Sequence, residues 1–391
     1  MFLKKIKLNN FLSYGPQDVE IKLHDLNILV GPNGSGKSNL FEAISLLRST
    51  PKAIVAPVRK GGGVFDWLWK GAQKPTASIS FDFENKFSPQ FSDIDINYSL
   101  DFTVINNRFE IIKEKIENVK PVRGNSKPYL YYSHDHFSTV INIAQQQRSL
   151  KREDIDPEAS IFSQRKDPDN YPEITHLGKK LEEIKIYREW HFGVDCVTRQ
   201  SQPTDGDSSF LQEDCSNLAL VFNSLLSKNP TRKKIMEEVK NIYEGADEVS
   251  VRIDAGRAIV QILEADLPDA IPANRLSDGT LRYLCLMAIL LNPNDIPLIC
   301  LDEPELGMHP DLICGLAKML IAASKHTQII VTTHSPLLLD AFSDYPEDIL
   351  ICQKTKGCSV IEPIPTSLYP VIQQGSLGQL WMQGELGGAR W

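Results

Sequence analysis

The sequence predicts an α/β fold: a mixed, largely parallel sheet covered by helices, with an antiparallel β subdomain beside it. Three observations carry that expectation. A buried-strand run, Leu26–Val30, feeds straight into the glycine-rich stretch Gly31–Ser38 and then into helical spacing. A block from Ala77 to about Val119 alternates with period two, and strands alternate with helices in the last third of the chain.

In chain order, the first thirty residues alternate as strands do. After Ser38, Leu40, Phe41, Ile44 and Leu47 recur at helical spacing. Ile79, Phe81 and Phe83, then Ile94, Ile96, Tyr98, Leu100, Phe102 and Val104, predict an antiparallel meander, with Asn106-Asn107 as a turn signal. From about Pro121 to Thr204 the chain is charged and punctuated by proline, which reads as an inserted arm or lid with one helix around Leu177–Trp190. Helices are expected at Phe210–Leu226 and Ile235–Tyr243, and short strands at Val249–Ile253 and Ala258–Leu263. A Ser277-Asp278-Gly279 turn then opens a greasy helix, followed by a strand Pro297–Leu301, a helix Pro310–Ala323 and a strand Gln328–Thr332. The expected organisation is a first core part over 1–120, the inserted arm or lid over 121–204, and a second core part over 205–391 that ends in an apolar tail.

At 391 residues, 42% hydrophobic and 24% charged, the composition is that of an ordinary globular protein. No apolar run is long enough to span a bilayer, and MFLKKIKLNNF lacks the apolar core of a signal peptide, so a cytoplasmic protein is expected. The seven cysteines are scattered without a Cys-x-x-Cys pair, which suits buried thiols better than disulfides or zinc. His134 and His136 lie close in sequence but have no companion ligands nearby. A net charge of −8 argues against a protein sheathed in positive potential. Any nucleic-acid contact must use local patches such as Lys4, Lys5 and Lys7, Lys179 and Lys180, or Arg232 to Lys234. The glycine-rich, apolar tail Gly375–Trp391 is expected to dock against this protein or a partner, and Trp67 and Trp69 to be partly buried.

Gly31-Pro32-Asn33-Gly34-Ser35-Gly36-Lys37-Ser38 fits G-x-x-x-x-G-K-[ST] at every fixed position, in the required strand-loop-helix setting. Glycines let backbone N–H groups curl around a phosphate, and the helix N-terminus faces its charge. Lys37 is then expected to reach the β- and γ-phosphates of ATP, and Ser38 to hold Mg²⁺. A second magnesium anchor belongs at the end of a neighbouring buried strand, where Asp302 and Glu303 follow Pro297–Leu301. Asp302 is the expected Mg²⁺-side carboxylate and Glu303 the group that orients or deprotonates the attacking water.

The ordered set of motifs resembles the ATP-binding-cassette ATPases, and within them the SMC/RecF-like heads and the related single-head bacterial ATPases with a short arm. Asn10-Phe-Leu-Ser-Tyr14 followed by Leu26 to Asn39 looks like the opening of such a head, Leu276-Ser-Asp-Gly-Thr280 like its signature loop, Asp302-Glu-Pro-Glu305 like its second nucleotide motif, and Thr333-His-Ser-Pro336 like its switch histidine. The resemblance implies a P-loop ATPase in which two copies sandwich ATP. Ser277 and Gly279 would contact the γ-phosphate held by the other copy, and His334 the γ-phosphate of its own. It adds Asn39 to the nucleotide-binding set and a glutamine near Mg²⁺, for which Gln164 is the first choice and Gln73 the second. It also implies a dimer or higher oligomer and a separate protein effector such as a nuclease or toxin, serving DNA maintenance or defence against foreign DNA. Direct DNA binding is left open, and no membrane is involved. A transporter motor subunit or a scaffold with little turnover are the alternatives. The sequence departs from the family at Asp278, where glycine is commoner, at Thr280, where glutamine is usual, and at His309, where many members carry an aspartate.

Overall fold

A computed structural model describes residues 1–71, 75–86, 93–135, 138–143, 146–149 and 155–386. Gln73, His136 and the last five residues of the tail lie outside the described residues. The chain divides into two compact units, one formed by Met1–Ile184 with Asp348–Ile364 and the other by Lys185–Glu347 with Pro365–Trp391.

In the first unit the strand Leu26–Val30 is buried at all five positions. It pairs in parallel with Ile349–Thr355, which turns back antiparallel onto Cys358–Pro363. That hairpin was not anticipated from the sequence. Its turn, Lys356-Gly357, has both residues at positive φ (50° and 83°), the two-residue geometry whose twist suits antiparallel strands. The second sheet of this unit is wholly antiparallel and eight-stranded. Its centre is the meander Ala77–Phe83, Ile96–Ile105 and Arg108–Pro121. Asn106 and Asn107, at φ 51° and 61°, make the expected turn, since asparagine tolerates the left-handed region. Alternation buries Ile79, Phe81 and Phe83 against Tyr98, Leu100 and Phe102, and the Phe81 and Tyr98 rings stack with centroids 6.5 Å apart.

In the second unit Lys185–Tyr187, Leu298–Asp302 and Gln328–Thr333 are parallel neighbours. The helix Asp278–Leu290, buried at every position from Thr280 on, the helix Pro310–Ser324 and the helix Leu218–Leu226 complete its core. An antiparallel ribbon, Ala246–Asp254 with Arg257–Glu264, turns at Ala255-Gly256.

Two helical expectations are corrected. The helix placed at Leu177–Trp190 is Pro172–Glu183, and Lys185–Tyr187 is a strand pairing with Ile299–Leu301. Ile184 and Ile186 straddle the switch, and sheet pairing overrides the helical spacing that Leu177 and Leu181 establish. The helix placed at Phe210–Leu226 begins only at Leu218. Asn217 holds the preceding loop instead: its amide donates to the carbonyls of Asp207 (2.7 Å) and Phe210 (2.9 Å) and accepts from the Gln212 N–H (2.8 Å).

The described part of the tail docks on its own unit. Leu377, Leu380, Trp381 and Leu386 are buried, and the helix Leu377–Met382 lies on Pro336–Asp340. Gly378 permits the approach. Its N–H donates to Asp340 Oδ1 at 2.6 Å, and a Cβ there would stand 2.4 Å from the Pro336 carbonyl.

Candidate functional site

The phosphate loop belongs to the first unit. Gly34 and Gly36 sit at φ 76° and 112°, conformations that a side chain would strain. A Cβ on Gly36 would also fall 2.4 Å from Ser359 Oγ, so the glycine is demanded twice. Lys37 is nearly buried, and its ammonium donates to the carbonyls of Gly31 (2.6 Å) and Pro32 (3.2 Å), holding the charge at the mouth of the loop. Ser35 is 1% exposed, and its hydroxyl has no hydrogen-bond partner among the described residues. A buried donor without a partner costs roughly 1–3 kcal/mol. An anion in the loop would satisfy it, so the residues present fit a nucleotide triphosphate.

Behind the loop, Asn39 donates to Ser13 Oγ at 2.6 Å, Ser359 Oγ to the same oxygen at 2.6 Å, and Tyr14 to the Gly36 carbonyl at 2.9 Å. The expected nucleotide residue Asn39 therefore braces the loop from the protein side. Ser359 was missed from the sequence because it comes from the hairpin at the far end of the chain. Burial pushes the Cys352 thiol under the loop up to about 12, with Lys37 pulling against it, so it stays a neutral packing group at neutral pH.

Gln164 ends the short helix Ile161–Gln164. Its amide donates to the carbonyls of Ala159 (2.6 Å) and Asp156 (3.3 Å) and accepts from the Asp156 N–H (3.0 Å). All three bonds close its own loop, and reaching a metal would require exchanging them.

The carboxylates and the histidine belong to the second unit, which brings them together. Asp302 closes its strand and accepts from Thr332 Oγ1. Glu303, next in the chain, adopts φ 46°, left-handed for a residue with a long side chain. Its N–H donates to the carbonyl of Thr332 (3.1 Å) and to Thr332 Oγ1 (3.1 Å), and its Oε1 lies 3.1 Å from His334 Nε2. Glu305 is buried, accepts from Thr333 Oγ1, and burial pushes its carboxyl up. Trp190 Nε1 donates to the Asp302 carbonyl at 2.8 Å, and Arg282 to that of Glu303 at 3.3 Å.

Ser277 caps the helix Asp278–Leu290, its Oγ accepting from the Thr280 N–H at 3.1 Å and sharing a 2.8 Å bond with Thr280 Oγ1. Thr280, in the family's glutamine position, therefore steadies the serine. Gly279 packs close to the 307 turn, where a Cβ would lie 3.0 Å from the Gly307 carbonyl. Ser277 and Gly279 open onto a cavity of about 980 Å³ whose walls include Lys240, Arg275 and His309. The carboxylate of Asp278 is neutralised by Arg199, which also donates to the carbonyls of Leu276 (2.6 Å) and Gly193 (2.8 Å). His309 caps the next helix and sits 3.3 Å from Asp311. Trp190, Arg199, Arg282 and Thr332 were not singled out from the sequence.

A glycine loop ending in Lys-Ser after a buried parallel strand, with paired acids and a histidine at neighbouring strand ends of the other unit, defines a P-loop NTPase head of the SMC/RecF type. The chain belongs to the family described as "AAA domain, putative AbiEii toxin, Type IV TA system", whose model matches residues 26–340. It is 32% identical over 107 residues to the chromosome partition protein Smc of Clostridium kluyveri (strain NBRC 12016), a match covering 26% of this chain and 9% of that protein, so it spans about a tenth of that relative. Its fold is similar to an Smc head solved bound to the C-winged helix domain of ScpA, with TM-score 0.57, 14% identity and coverage of 94% and 99% of the two chains. It is also similar to the Pyrococcus furiosus Smc head with an extended coiled coil, solved bound to the C-terminal domain of ScpA, with TM-score 0.55, 13% identity and coverage of 95% and 98%. Family and fold are those of P-loop ATPases. Among the described residues no helix is long and apolar enough to cross a membrane.

Proposed function

We propose that this chain binds ATP and Mg²⁺, self-associates around the nucleotide as a dimer or higher oligomer, hydrolyses it, and passes the resulting change of state to a separate protein effector. The observation that carries this reading is the Asp302-Glu303 turn, with Glu303 held at φ 46° and its carboxylate 3.1 Å from His334. Strained backbone in a tightly bonded setting is a mark of functional positions.

Ser38 and Asp302 are the residues that would hold Mg²⁺, which neutralises phosphate charge when bound. Lys37 and the loop N–H groups bind and orient the triphosphate. Glu303 orients the attacking water and takes its proton, and His334 steadies Glu303 and contacts the γ-phosphate. Gln164 remains the proposed glutamine of the metal side, through the exchange of its present bonds. The cavity at Ser277 and Gly279, with Arg275 and Lys240 in its walls, suits a triphosphate presented by a second copy.

Five of the eight residues in the candidate basic patches are held in ion pairs, which supports a protein effector over DNA. Lys4, Lys5, Lys7, Lys180 and Arg232 are each engaged with a carboxylate, at 2.8, 3.0, 2.7, 2.8 and 3.3 Å respectively. The family's description, with its toxin and toxin–antitoxin reference, supports a role in defence; the effector proposed is a nuclease or toxin and the setting the cytoplasm.

Glu303→Gln tests the reading. With saturating ATP and Mg²⁺, turnover is lost while solution scattering shows a stable dimer. Unchanged turnover would remove Glu303 from the mechanism, and a monomer under those conditions would remove the nucleotide sandwich.

A further inference from the structure

We propose that Arg282 is a positioning residue that clamps the backbone of the hydrolytic carboxylates to the helix carrying the signature turn, so that phosphate capture at Ser277 is transmitted to Glu303 of the same chain. The proposal rests on the ATPase reading above and extends it to the regulation of that site.

Arg282 lies one turn into the helix Asp278–Leu290 and is 7% exposed. Burying a guanidinium is expensive unless it is paired, yet no ion pair among the described residues includes it. The Glu305 and Asp278 carboxylates attract it from beyond ion-pair distance, and its charge is engaged directly in two other ways. The guanidinium lies over the rings of Trp190 (5.4 Å) and Phe192 (5.3 Å), and it donates to the carbonyl of Glu303 at 3.3 Å. Trp190 Nε1 meanwhile donates to the adjacent carbonyl, that of Asp302, at 2.8 Å. Trp190 stacks on Tyr187 with centroids 5.8 Å apart, and Tyr187 is the strand residue paired with Leu301. The consecutive carbonyls of the two acids are thus each held by one member of a single cation–aromatic stack.

That stack has a task in proportion to its cost. The left-handed conformation of Glu303 is unfavourable and persists only where the surroundings over-determine it. Thr332 holds the N–H of Glu303, Arg282 its carbonyl and Trp190 the carbonyl before it. Removing Arg282 releases, among the described residues, the one side-chain hydrogen bond to Glu303 that comes from the signature helix. A phosphate bonded at Ser277 and Gly279 draws on the first turn of that same rigid, buried helix, so its displacement reaches Glu303 through a single side chain.

The experiment compares Arg282→Met, Arg282→Lys and Trp190→Phe with the wild type in the full chain. Four readouts are taken: affinity for a fluorescent ATP analogue, ATP-driven dimerisation on the Glu303→Gln background, kcat against ATP concentration, and thermal unfolding. Arg282→Met keeps length and packing but removes the fork. It is expected to leave nucleotide affinity and dimerisation within about threefold while kcat falls about 100-fold, the scale of a misplaced catalytic group. Arg282→Lys recovers part of kcat, and Trp190→Phe, which keeps a ring under the guanidinium but lacks the N–H, lowers kcat with affinity intact. Unchanged kcat in Arg282→Met overturns the proposal. So does loss of dimerisation in step with kcat, which would make Arg282 a support of the signature turn alone. Should Arg282→Met fail to fold, Trp190→Phe decides by the same criteria. A wild type that neither binds nor hydrolyses ATP would overturn the underlying reading instead, which the affinity measurement separates from failure of the clamp.

Discussion

Glu114 offers a test of how the first unit holds the segment that ends at Gln164. It sits on Arg108–Pro121, is 1% exposed, and no charge neutralises it in the ion pairs of the described residues. Its Oε1 accepts from Tyr98 at 2.8 Å and from Ser160 Oγ, and its Oε2 accepts from the Ile161 N–H at 3.0 Å. Burial pushes its carboxyl up, and the bonds from Ser160, Ile161 and Tyr98 only partly oppose that. Ser160 is in turn the cap of the helix Ile161–Gln164. This one carboxyl therefore joins two strands of the meander to the glutamine loop.

Truncation by Glu114→Ala leaves the Ile161 N–H and two hydroxyls without an acceptor and opens a cavity. An orphaned buried donor costs about 1–3 kcal/mol, and a side-chain cavity adds a similar amount. Together they destabilise by roughly 3–5 kcal/mol, which in a unit of this size is on the order of a 10 °C fall in unfolding midpoint. Glu114→Gln behaves differently. Its amide oxygen accepts from the Ile161 N–H while its NH₂ donates to hydroxyls that rotate to accept, so it mimics the protonated acid. A carboxyl raised in the folded state contributes stability that is fully present below the ordinary glutamate range and is lost as pH rises through the folded value. Scanning calorimetry from pH 5 to 8 should therefore find Glu114→Gln gaining on the wild type as pH increases. If instead the difference between the two stays flat across that range, the three donors outweigh burial, the group is an anion throughout, and the reasoning fails.

Two further perturbations address the nucleotide surfaces. Gly36→Ala places a Cβ at φ 112° and 2.4 Å from Ser359 Oγ, and a strain of about 1–3 kcal/mol predicts about a tenfold or greater loss of ATP affinity by titration calorimetry. Arg199→Met exposes the Asp278 carboxylate to an incoming phosphate, and like charges brought face to face cost several kcal/mol. ATP-driven self-association in sedimentation experiments should weaken about tenfold or more and be restored by adding Asp278→Asn.

The residues legible in the sequence and those that were not differ in what holds them in place. Gly34, Gly36, Asn106 and Asn107 were legible because positive φ admits few residue types, so backbone geometry writes itself into local composition. Asp302, Glu303 and His334 were legible because a strand end imposes a buried run followed by polar groups. The Lys185–Tyr187 strand was hidden inside a helical reading, since three residues are too few for a period to emerge and its pairing partner lies more than a hundred positions away. Ser359, Trp190 and Arg282 were hidden for a related reason. Ser359 donates to a serine 346 residues distant, and the other two donate to backbone carbonyls. A carbonyl is offered by every residue, so a side chain that serves one leaves no complementary residue to be found elsewhere in the chain. Such contacts also decide where a catalytic group points. The motif therefore announces which acids end the strand, while their aim depends on side chains that carry no signature of their own, and variants at Trp190 and Arg282 probe that aim more directly than variants in the motif.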